Sequence, residues 1–517
     1  MKFFSPDSLH INTRNFDSVF TFIREGRHYY EQHAEINHLI SRYGDYTELP
    51  AEMQEEYQAS LSWEGESLLD RQSNGINLFD ICRGETLSYV CADPTFSKIG
   101  KEWSRDEIFD FLYKNYRIPL IKNLSVASFW IKYWNNFIQN SSNFDFALIF
   151  SGSLSYARSL MELLRKTPTR VFLLESFMTG SDFYCEEKFS PLPNNSLLGN
   201  KNYYSSLKIS DESYERDRMK AINKILLGKN LNVIQPPSSA DILFDNEKVI
   251  LILGQVVNDF SQLGYNDLGI SSISIYCELL EKILDKTEYK IIFKAHPWEN
   301  KKANLRSPIT ANYIKSKFAN YIDDRIVIVE DYNIDDLFKQ VQHVILLNSQ
   351  SGIEAAWNGI KPIVLARPFY GKKGFTHDFH YNDIDAVVDF LNCATCEDST
   401  LSLKEFDAFE DFLVKALMYT LVCKHKSGLI KLREIFRPFN TIQMVSTQTA
   451  PSEKKSNITD LVPLPLLPQE LGGIKDLTDQ SPKPISKKLL KLKRNPKRFF
   501  NDSKNPLYQM IAKTLYR

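Results

Sequence analysis

Carboxylates follow two of the apolar stretches that the sequence predicts to be β-strands. Glu175 ends the stretch 170–175, and Asp259 comes shortly after the stretch 249–253. Carboxylates on opposite walls of one cleft could supply a nucleophile and a general acid or base for glycosyl transfer. Taken alone, each is more typical of a solvated loop residue, so the prediction depends on their being brought together.

A histidine stands at the end of another predicted strand, residues 289–294, in the segment Lys294-Ala295-His296-Pro297. A residue before proline is disfavoured in a helix and adopts an extended backbone. His296 is therefore expected to project toward the same cleft. An ordinary loop histidine fits the segment equally well.

A loop rich in small polar residues joins a predicted strand to a predicted helix. It runs from Asn348 through Ser349, Gln350, Ser351, Gly352 and Ile353 to Glu354. A helix start presents backbone N–H groups and a helix dipole to an anion such as a nucleotide phosphate. Glu354 in the first turn could cap the helix or hold a ribose hydroxyl. A plain capping box without a ligand remains the alternative.

Two common nucleotide motifs are missing. The stretch 254–259 begins with Gly254 but lacks the second and third glycines of the dinucleotide fingerprint, and no Walker A motif occurs. NAD enzymes and P-loop kinases are therefore disfavoured. Of the seven cysteines, Cys393 and Cys396 alone form a C-x-x-C pair, without a second pair at zinc spacing. We expect no metal and no other cofactor.

The elements that must position these residues read as two α/β regions. Strand 146–150, helix 156–164 and strand 170–175 form a βαβ unit, which implies a parallel sheet. The first 140 residues read as mostly helical. From residue 248, strands and helices alternate, which indicates a doubly wound domain. Its strands are predicted at 249–253, 289–294, 325–330, 344–347 and 362–366, and its helices at 271–284, 334–340 and 353–358.

At 517 residues the chain is too long for one core. We predict an N-terminal acceptor-side domain with helical additions at 1–237 and a nucleotide-sugar-binding domain at 238–440, which includes helix-forming sequence at 403–436. A flexible proline-rich linker follows at 441–482, and a basic amphipathic tail at 483–517. The fold class is therefore α/β, with two Rossmann-like domains facing a cleft.

Charge and hydropathy limit the partners. The formal net charge of −1 gives no general attraction to nucleic acid. The N-terminus lacks the features of a signal peptide, and no run approaches about 18 apolar residues, the least that a membrane span needs. We expect a cytoplasmic protein.

The tail carries eight Lys/Arg and no acid between residues 483 and 498, interleaved with isoleucine and leucine. A basic amphipathic helix of this kind is typical of an anchor on an anionic membrane surface. A solvated tail and a docking segment for a partner enzyme are the alternatives.

Taken together, the motifs resemble a known family. Four of them follow one another: Gly254-Gln255-Val256-x-x-Asp259, Lys294-x-His296-Pro297, Ser349-x-x-Gly352-x-Glu354-Ala355, and Gly359-x-Lys361-Pro362. Pro368-Phe369-Tyr370-x-x-x-Gly374-Phe375-Thr376 completes the series. This order resembles the bacterial capsule-polysaccharide and O-antigen β-Kdo glycosyltransferases.

The resemblance implies a GT-B-like retaining enzyme that uses CMP-β-Kdo without a metal. It implies that Asp259 is the nucleophile and Glu175 the general acid or base, with His296 also in the catalytic site. The residues that it places at the CMP moiety are Gln255, His296, Ser349, Gln350, Ser351, Gly352 and Glu354. A cation should meet the sugar carboxylate, and the candidates are Lys294, Arg367, Lys372 and Lys373.

The sequence therefore predicts a β-Kdo transferase that acts on a glycan or lipid-linked glycan, held by its tail at the inner face of the bacterial inner membrane. One alternative is a GT-B transferase that uses another nucleotide sugar. The other is a non-catalytic scaffold of a polysaccharide assembly complex.

Overall fold

The structure of the protein, a computed structural model, describes residues 1–40, 46, 48–91, 103–141, 143–192, 194–228, 236, 237, 242, 248–263, 271–299 and 308–437. The predicted linker at 441–482 and the predicted tail at 483–517 lie outside the described residues. The chain divides into two units, Met1–Val462 and Pro463–Arg517, and every described residue belongs to the first.

The described strands are β1 (Lys2–Ser5), β2 (Tyr29–Gln32), β3 (Gln72–Ser73), β4 (Ile76–Asn77), β5 (Phe146–Phe150), β6 (Arg170–Ser176), β7 (Asp182–Glu187), β8 (Val249–Leu253), β9 (Lys290–Lys294), β10 (Ile326–Val329), β11 (His343–Leu346), β12 (Ile363–Val364), β13 (His377–Asp378) and β14 (Val422–Cys423).

The described α-helices are α1 (Thr13–Glu25), α2 (Ala51–Ser60), α3 (Leu78–Val90), α4 (Arg105–Asn115), α5 (Arg117–Asn140), α6 (Ser155–Leu164), α7 (Lys201–Ser206), α8 (Asp211–Leu227), α9 (Phe260–Leu263), α10 (Ser272–Lys286), α11 (Ile309–Lys317), α12 (Ile334–Phe338), α13 (Ser351–Trp357), α14 (Ile384–Cys393), α15 (Cys396–Ser399), α16 (Leu403–Val414) and α17 (Gly428–Ile435).

The first sheet has the order β14-β7-β6-β5-β1-β2. Strands β6, β5, β1 and β2 run parallel, whereas β7 and β14 add antiparallel pairs at one side. The run Phe146–Phe150 is almost wholly buried, as expected for a strand covered on both faces. The strand order reverses between β1 and β5, which makes their carboxyl ends the switch point of this sheet.

The prediction that the first 140 residues are mostly helical missed β1, an inner strand of this sheet. The error has a physical cause, because a four-residue strand is too short to show a period. Burial of its side chains is the feature that identifies β1 as a core strand. Phe3 stacks on Phe146 at 5.0 Å between ring centroids, and Phe4 stacks on Phe137 at 4.9 Å.

The second sheet is parallel throughout, in the order β10-β9-β8-β11-β12-β13. Numbered from its own first strand, this is 3-2-1-4-5-6, the order of doubly wound dinucleotide-binding folds. The five predicted strands are present, and the two-residue β13 was not predicted. The switch point lies between β8 and β11. The predicted fold class, α/β with two Rossmann-like domains, is confirmed.

One strand within the predicted domain range 238–440 belongs to the first sheet and not to the second. The sequence predicts helix throughout 403–436, but the chain passes from α16 through a π-helix at Lys415–Thr420 into β14, which pairs with β7 of the first sheet. Helix α17 then packs on α1. Leu429, Leu432 and Phe436 complete the core on that face. Periodicity shows that a helix is amphipathic but not which sheet it covers.

The helical additions within residues 1–140 pack around α5. Helices α2, α3, α4 and α6 all contact it, and its Trp130 and Trp134 are fully buried. Helix α3 also contacts α9, which follows β8 of the second sheet. The N-terminal additions therefore reach the loop that carries Asp259.

Candidate active site

The side chain of Gln255 joins the loops that follow β8 and β11, at the switch point of the second sheet. Its Nε2 donates to Asp259 Oδ2 at 3.0 Å and to Ser261 Oγ at 3.1 Å. Its Oε1 accepts from the backbone N–H of Asn348 at 3.4 Å. Gln255 is buried. We conclude that it fixes the positions of both loops relative to each other.

Asp259 is held through both of its carboxylate oxygens. Oδ2 accepts from Gln255, and Oδ1 accepts from the backbone N–H of Ser261 at 2.8 Å, where α9 begins. The residue is partly exposed. These bonds alone would give Asp259 a structural role, that of fixing the turn into α9, which is the alternative to its predicted role as nucleophile. The two roles are compatible, because a carboxylate has lone pairs beyond those that these bonds use.

Glu175 lies at the carboxyl end of β6 in the first sheet. The residue is half-buried, but its Oε2 is buried and has no hydrogen-bond partner among the described residues. Burial, with further contributions from the negative charges of Asp259 and Glu186, raises the pKa of Glu175 to about 8. The two predicted carboxylates thus lie near enough to interact, one from each domain. Glu175 is protonated at neutral pH and can donate a proton there.

A second buried polar group without a partner lies beside Asp259. Gln262 in α9 is buried, and within the described part of the chain neither its side-chain oxygen nor its nitrogen has a hydrogen-bond partner. An unpaired buried amide costs about 1–3 kcal/mol, so it is rare unless a ligand or water pairs with it. Sequence reasoning missed this glutamine, because its residue type and spacing match no motif.

His296 follows β9, and its Nδ1 accepts from the backbone N–H of Trp298 at 3.2 Å. The ring is therefore held in the turn that continues to Glu299. Glu299 is fully buried and accepts from the N–H of Val257 and of Thr310, both at 3.0 Å. It connects the β8 loop to the start of α11. Sequence reasoning missed Glu299, since an acid in a loop looks the same whether buried or solvated.

Residues at the start of α13 form hydrogen bonds with one another. Ser349 Oγ accepts from the N–H of Ser351 at 3.3 Å, and the Ser349 carbonyl accepts from the N–H of Gly352 at 3.2 Å. The N–H of Ile353 bonds the Gln350 carbonyl at 2.9 Å. A phosphate arriving here would have to displace these bonds or use the serine hydroxyls. Helix α13 has seven residues.

Gly352 is required by the ring of Tyr370. A Cβ at this position would lie 2.2 Å from Tyr370 Oη and 2.8 Å from its Cζ. The tyrosine is fully buried and donates to the Ser349 carbonyl at 2.5 Å, so it cannot move aside cheaply. The Gly352-to-Tyr370 spacing in the motif series therefore has a packing explanation.

Gln350 connects the domains. Its Oε1 accepts from the backbone N–H of Met178, in the loop after Glu175, at 3.1 Å. A second connection uses Asn194, whose Oδ1 accepts from the Phe369 N–H at 3.0 Å. The two carboxyl-end loop sets are thus bonded to each other directly. Gln350 is used for this domain contact in the present structure.

The four candidate cations for a sugar carboxylate lie in different settings. Lys294 is buried at the end of β9 and donates to the Glu330 carbonyl at 3.3 Å. Burial lowers the pKa of Lys294 and raises that of nearby Glu354. Arg367 and Lys372 are exposed.

Lys373 is partly buried, and its Nζ lies 4.2 Å from the ring centre of Tyr204, with Lys415 at 4.4 Å from the same ring. Burial, together with the positive charge of Lys415, lowers the pKa of Lys373 to about 8. Lys294 lies close enough to Glu354, in the 348–354 loop, for their charges to interact.

Among the described residues, no group of three or more His, Cys, Asp or Glu is arranged to hold a metal ion. Within the same part of the chain, none of the helices combines the length and apolar composition that crossing a bilayer requires.

Residues 201–387 match the family described as "Capsule polysaccharide biosynthesis protein". Over these residues, the predicted resemblance to capsule-polysaccharide synthesis proteins is confirmed. The matching residues include Asp259, His296 and the 348–354 loop, but Glu175 and the first sheet lie outside them. A comparison with curated proteins gives no match.

Solved structures give weaker likenesses. The β-Kdo 2,4 transferase KpsC of Thermosulfurimonas dismutans is 17% identical over 52% of this chain and 79% of that one, with a TM-score of 0.35. The β-Kdo 2,7 transferase KpsC of the same organism is 14% identical over 59% of this chain and 90% of that one, with a TM-score of 0.35. The N-terminal domain of Candida albicans trehalose-6-phosphate phosphatase is 12% identical over 84% and 96%, with a TM-score of 0.34. Likenesses of this size carry no functional argument.

Proposed function

We propose that the protein is a retaining glycosyltransferase that transfers β-Kdo from CMP-β-Kdo to a glycan acceptor in capsule or O-antigen synthesis. The observation that carries the proposal is the pair Glu175 and Asp259. One is a buried carboxyl that is protonated at neutral pH, and the other is a carboxylate fixed in the opposite loop. The match of residues 201–387, which include Asp259, to the capsule-polysaccharide biosynthesis family supports a place in capsule synthesis. We choose β-Kdo because the motif series resembles that of the β-Kdo transferases.

The proposed reaction has two displacements. In the first, a carboxylate oxygen of Asp259 attacks the anomeric carbon, and the bond from that carbon to the CMP phosphate oxygen breaks. The leaving oxygen takes the electron pair, and Glu175 can protonate it. In the second, an acceptor hydroxyl oxygen attacks the same carbon and gives up its proton to a base, and the bond from that carbon to Asp259 breaks with its electron pair returning to the carboxylate. Two inversions give net retention.

The donor chemistry suits the site. The anomeric carbon of Kdo is a ketal carbon that bears a carboxylate, so positive charge develops on it before the new bond forms. A fixed carboxylate beneath that carbon stabilises this charge. Ser349, Ser351, His296 and Glu354 are proposed to hold the nucleotide, and Lys294 the sugar carboxylate.

A non-catalytic scaffold is disfavoured by the same pair. Burying the unpaired Oε2 of Glu175 destabilises the fold, and a protein that only assembles others gains nothing from that loss. A transferase for another nucleotide sugar shares the carboxylate chemistry, so only a donor experiment separates it from the proposal.

Thermal denaturation with CMP, UDP or GDP tests the donor. We expect CMP to raise the midpoint, because a ligand at a hundredfold excess over its Kd stabilises the native state by roughly 2.7 kcal/mol. The serines of the 348–354 loop provide the control, since Ser349→Ala with Ser351→Ala should weaken the shift. A shift with UDP and none with CMP would contradict the assignment of the donor.

We further propose that the protein acts at the inner face of the inner membrane, held by the basic tail at 483–517. Deleting residues 441–517 should free it from anionic vesicles but preserve transfer to a soluble acceptor. Each basic residue near an anionic surface contributes about 1 kcal/mol, so the eight between 483 and 498 suffice. The measurement is co-sedimentation at low and high salt. Binding by the truncated protein, or its loss of activity on soluble acceptor, would count against the anchor.

A further inference from the structure

A histidine–carboxylate pair lies after β1, outside the site described above. Asp7 Oδ1 accepts from the backbone N–H of His10 at 2.7 Å and bonds its ring Nδ1 at 3.2 Å. Asp7 Oδ2 accepts from the hydroxyl of Tyr156 at 2.7 Å. The Asp7 side chain is fully buried. This buried carboxylate is therefore bonded to two side chains and has no contact with solvent.

The pair fixes which nitrogen of His10 carries the proton. Burial alone would raise the pKa of Asp7, but its bonds with His10 and Tyr156 outweigh burial and hold that pKa below its ordinary value. An ionised carboxylate only accepts, so Nδ1 of the His10 ring must carry the hydrogen. In the neutral ring, Nε2 then keeps its lone pair. Among the described residues, it has no hydrogen-bond partner, and 19% of the side chain is exposed.

The ring is also held in orientation. It stacks on Phe150 with 4.7 Å between centroids and 12° between planes, and Phe150 is the last residue of β5. A carboxylate on one nitrogen, a fixed ring plane and a free second nitrogen are the features of an oriented general base. A histidine that only fills space needs none of these.

The position in the fold is that of a ligand site. The carboxyl ends of β1 and β5 form the switch point of the first sheet, where open α/β sheets bind ligands. His10 follows β1, and the turn Ser151-Gly152-Ser153 follows β5, with positive φ of 57° at Ser151. Glu175 is the penultimate residue of β6, two strands from β1, so His10 and Glu175 lie at the same carboxyl edge of the sheet.

We propose that His10 is the base that accepts the proton of the acceptor hydroxyl in the second displacement, with Asp7 as its positioning residue. The acceptor oxygen attacks the anomeric carbon, its proton passes to Nε2, and the bond from that carbon to Asp259 breaks with its electron pair returning to the carboxylate. The proton then leaves to water. This inference rests on the proposed function and adds the group that serves the acceptor.

Glu175 and His10 are proposed to divide the two proton transfers. Glu175, whose pKa is raised to about 8, is protonated at neutral pH and suits the donation of a proton in the first displacement. That donation leaves Glu175 as a carboxylate, which is the competing base for the second displacement. If Glu175 served both steps, transfer by a variant without the His10 imidazole would proceed at the wild-type rate.

The test separates the two displacements with CMP-Kdo and a soluble glycan acceptor. For His10→Gln, CMP release in the first turnover should stay within about twofold of wild type, while transfer falls by about 10²–10⁴-fold. Intact mass should then show the sugar adduct accumulating on the enzyme. Adding imidazole to His10→Ala should recover transfer. Asp7→Asn should lower kcat without raising KM for the acceptor.

The matched control is His38→Gln. His38 also bonds a carboxylate, that of Glu52 at 3.0 Å, but on an exposed surface. It should behave as wild type. Transfer by His10→Gln at the wild-type rate would overturn the inference, as would an equal loss of CMP release and transfer without imidazole rescue. If the wild type releases no CMP, the proposed function fails first, and the inference fails with it.

Discussion

Replacing Asp259 by asparagine should abolish sugar transfer, with a loss on the order of 10⁴-fold or more, while the protein still folds and binds CMP. The amide cannot act as the nucleophile. It keeps an acceptor for the N–H of Ser261, but its nitrogen would face Nε2 of Gln255. Gln255 cannot turn its amide without losing the N–H of Asn348. We therefore expect the free energy of unfolding to fall by about 1 kcal/mol, which is small beside the loss of activity.

The competing explanation is that Asp259 only fixes the turn into α9. Asparagine serves that role about as well as aspartate, so substantial activity in Asp259→Asn would favour it. Asp383→Asn is the matched control, because Asp383 caps α14 through the N–H of Ala386 at 3.3 Å and is exposed. Mass spectrometry of wild type trapped with donor should show a Kdo adduct on the peptide that contains Asp259.

The second sheet and the residues after its strands could be predicted because each strand there is a continuous apolar run. Strand Val249–Leu253 is buried throughout, and the chain repeats this pattern at β9 and β11. Parallel strands bring their carboxyl ends to one edge, so Gln255, Asp259 and Asn348 had to meet there. The sequence order of the motifs thus carried spatial information.

The first sheet could not be predicted so fully. Strand β1 has only four residues, and its place beside β5 depends on a pairing far away in the chain. The partners of His10 illustrate the same limit, since Asp7 and Tyr156 are 149 residues apart. Gln262 and Glu299 could not be predicted either, because neither belongs to a local sequence pattern. They stand out only because both are buried, Gln262 without hydrogen-bond partners among the described residues and Glu299 with them.

Bonds within the 348–354 loop show a further limit. A strand end followed by serines and a glycine predicts free N–H groups at a helix start. The Ser349 side chain and carbonyl already accept two of those groups. Ser and Thr side chains compete for backbone donors, so type and spacing alone cannot say whether an amide is free. The nucleotide role of this loop stays a prediction.

Transfer by the wild type should fall as pH rises through about 8, the raised pKa of Glu175, because ionised Glu175 has no proton to give. The same raised pKa of Glu175 determines whether stability rises or falls with pH. Between the ordinary pKa of 4.5 and about 8, the folded state holds a proton that the unfolded state has lost. The free energy of unfolding therefore decreases with pH across this window.

Glu175→Gln should separate these effects. The amide keeps a neutral group in the buried position but cannot transfer a proton, so transfer should fall by about 10²–10⁴-fold at neutral pH. Relative to wild type, the variant should become more stable between pH 5 and 9, because it has no carboxyl whose charge must be buried. Glu212→Gln on exposed α8 is the control and should match wild type in both. The measurements are kcat/KM and denaturant unfolding across that range. If Glu175→Gln retains the alkaline fall in activity, or shows no rising stability difference, Glu175 is not the buried proton donor, because both effects follow from one carboxyl held neutral by burial and by Asp259.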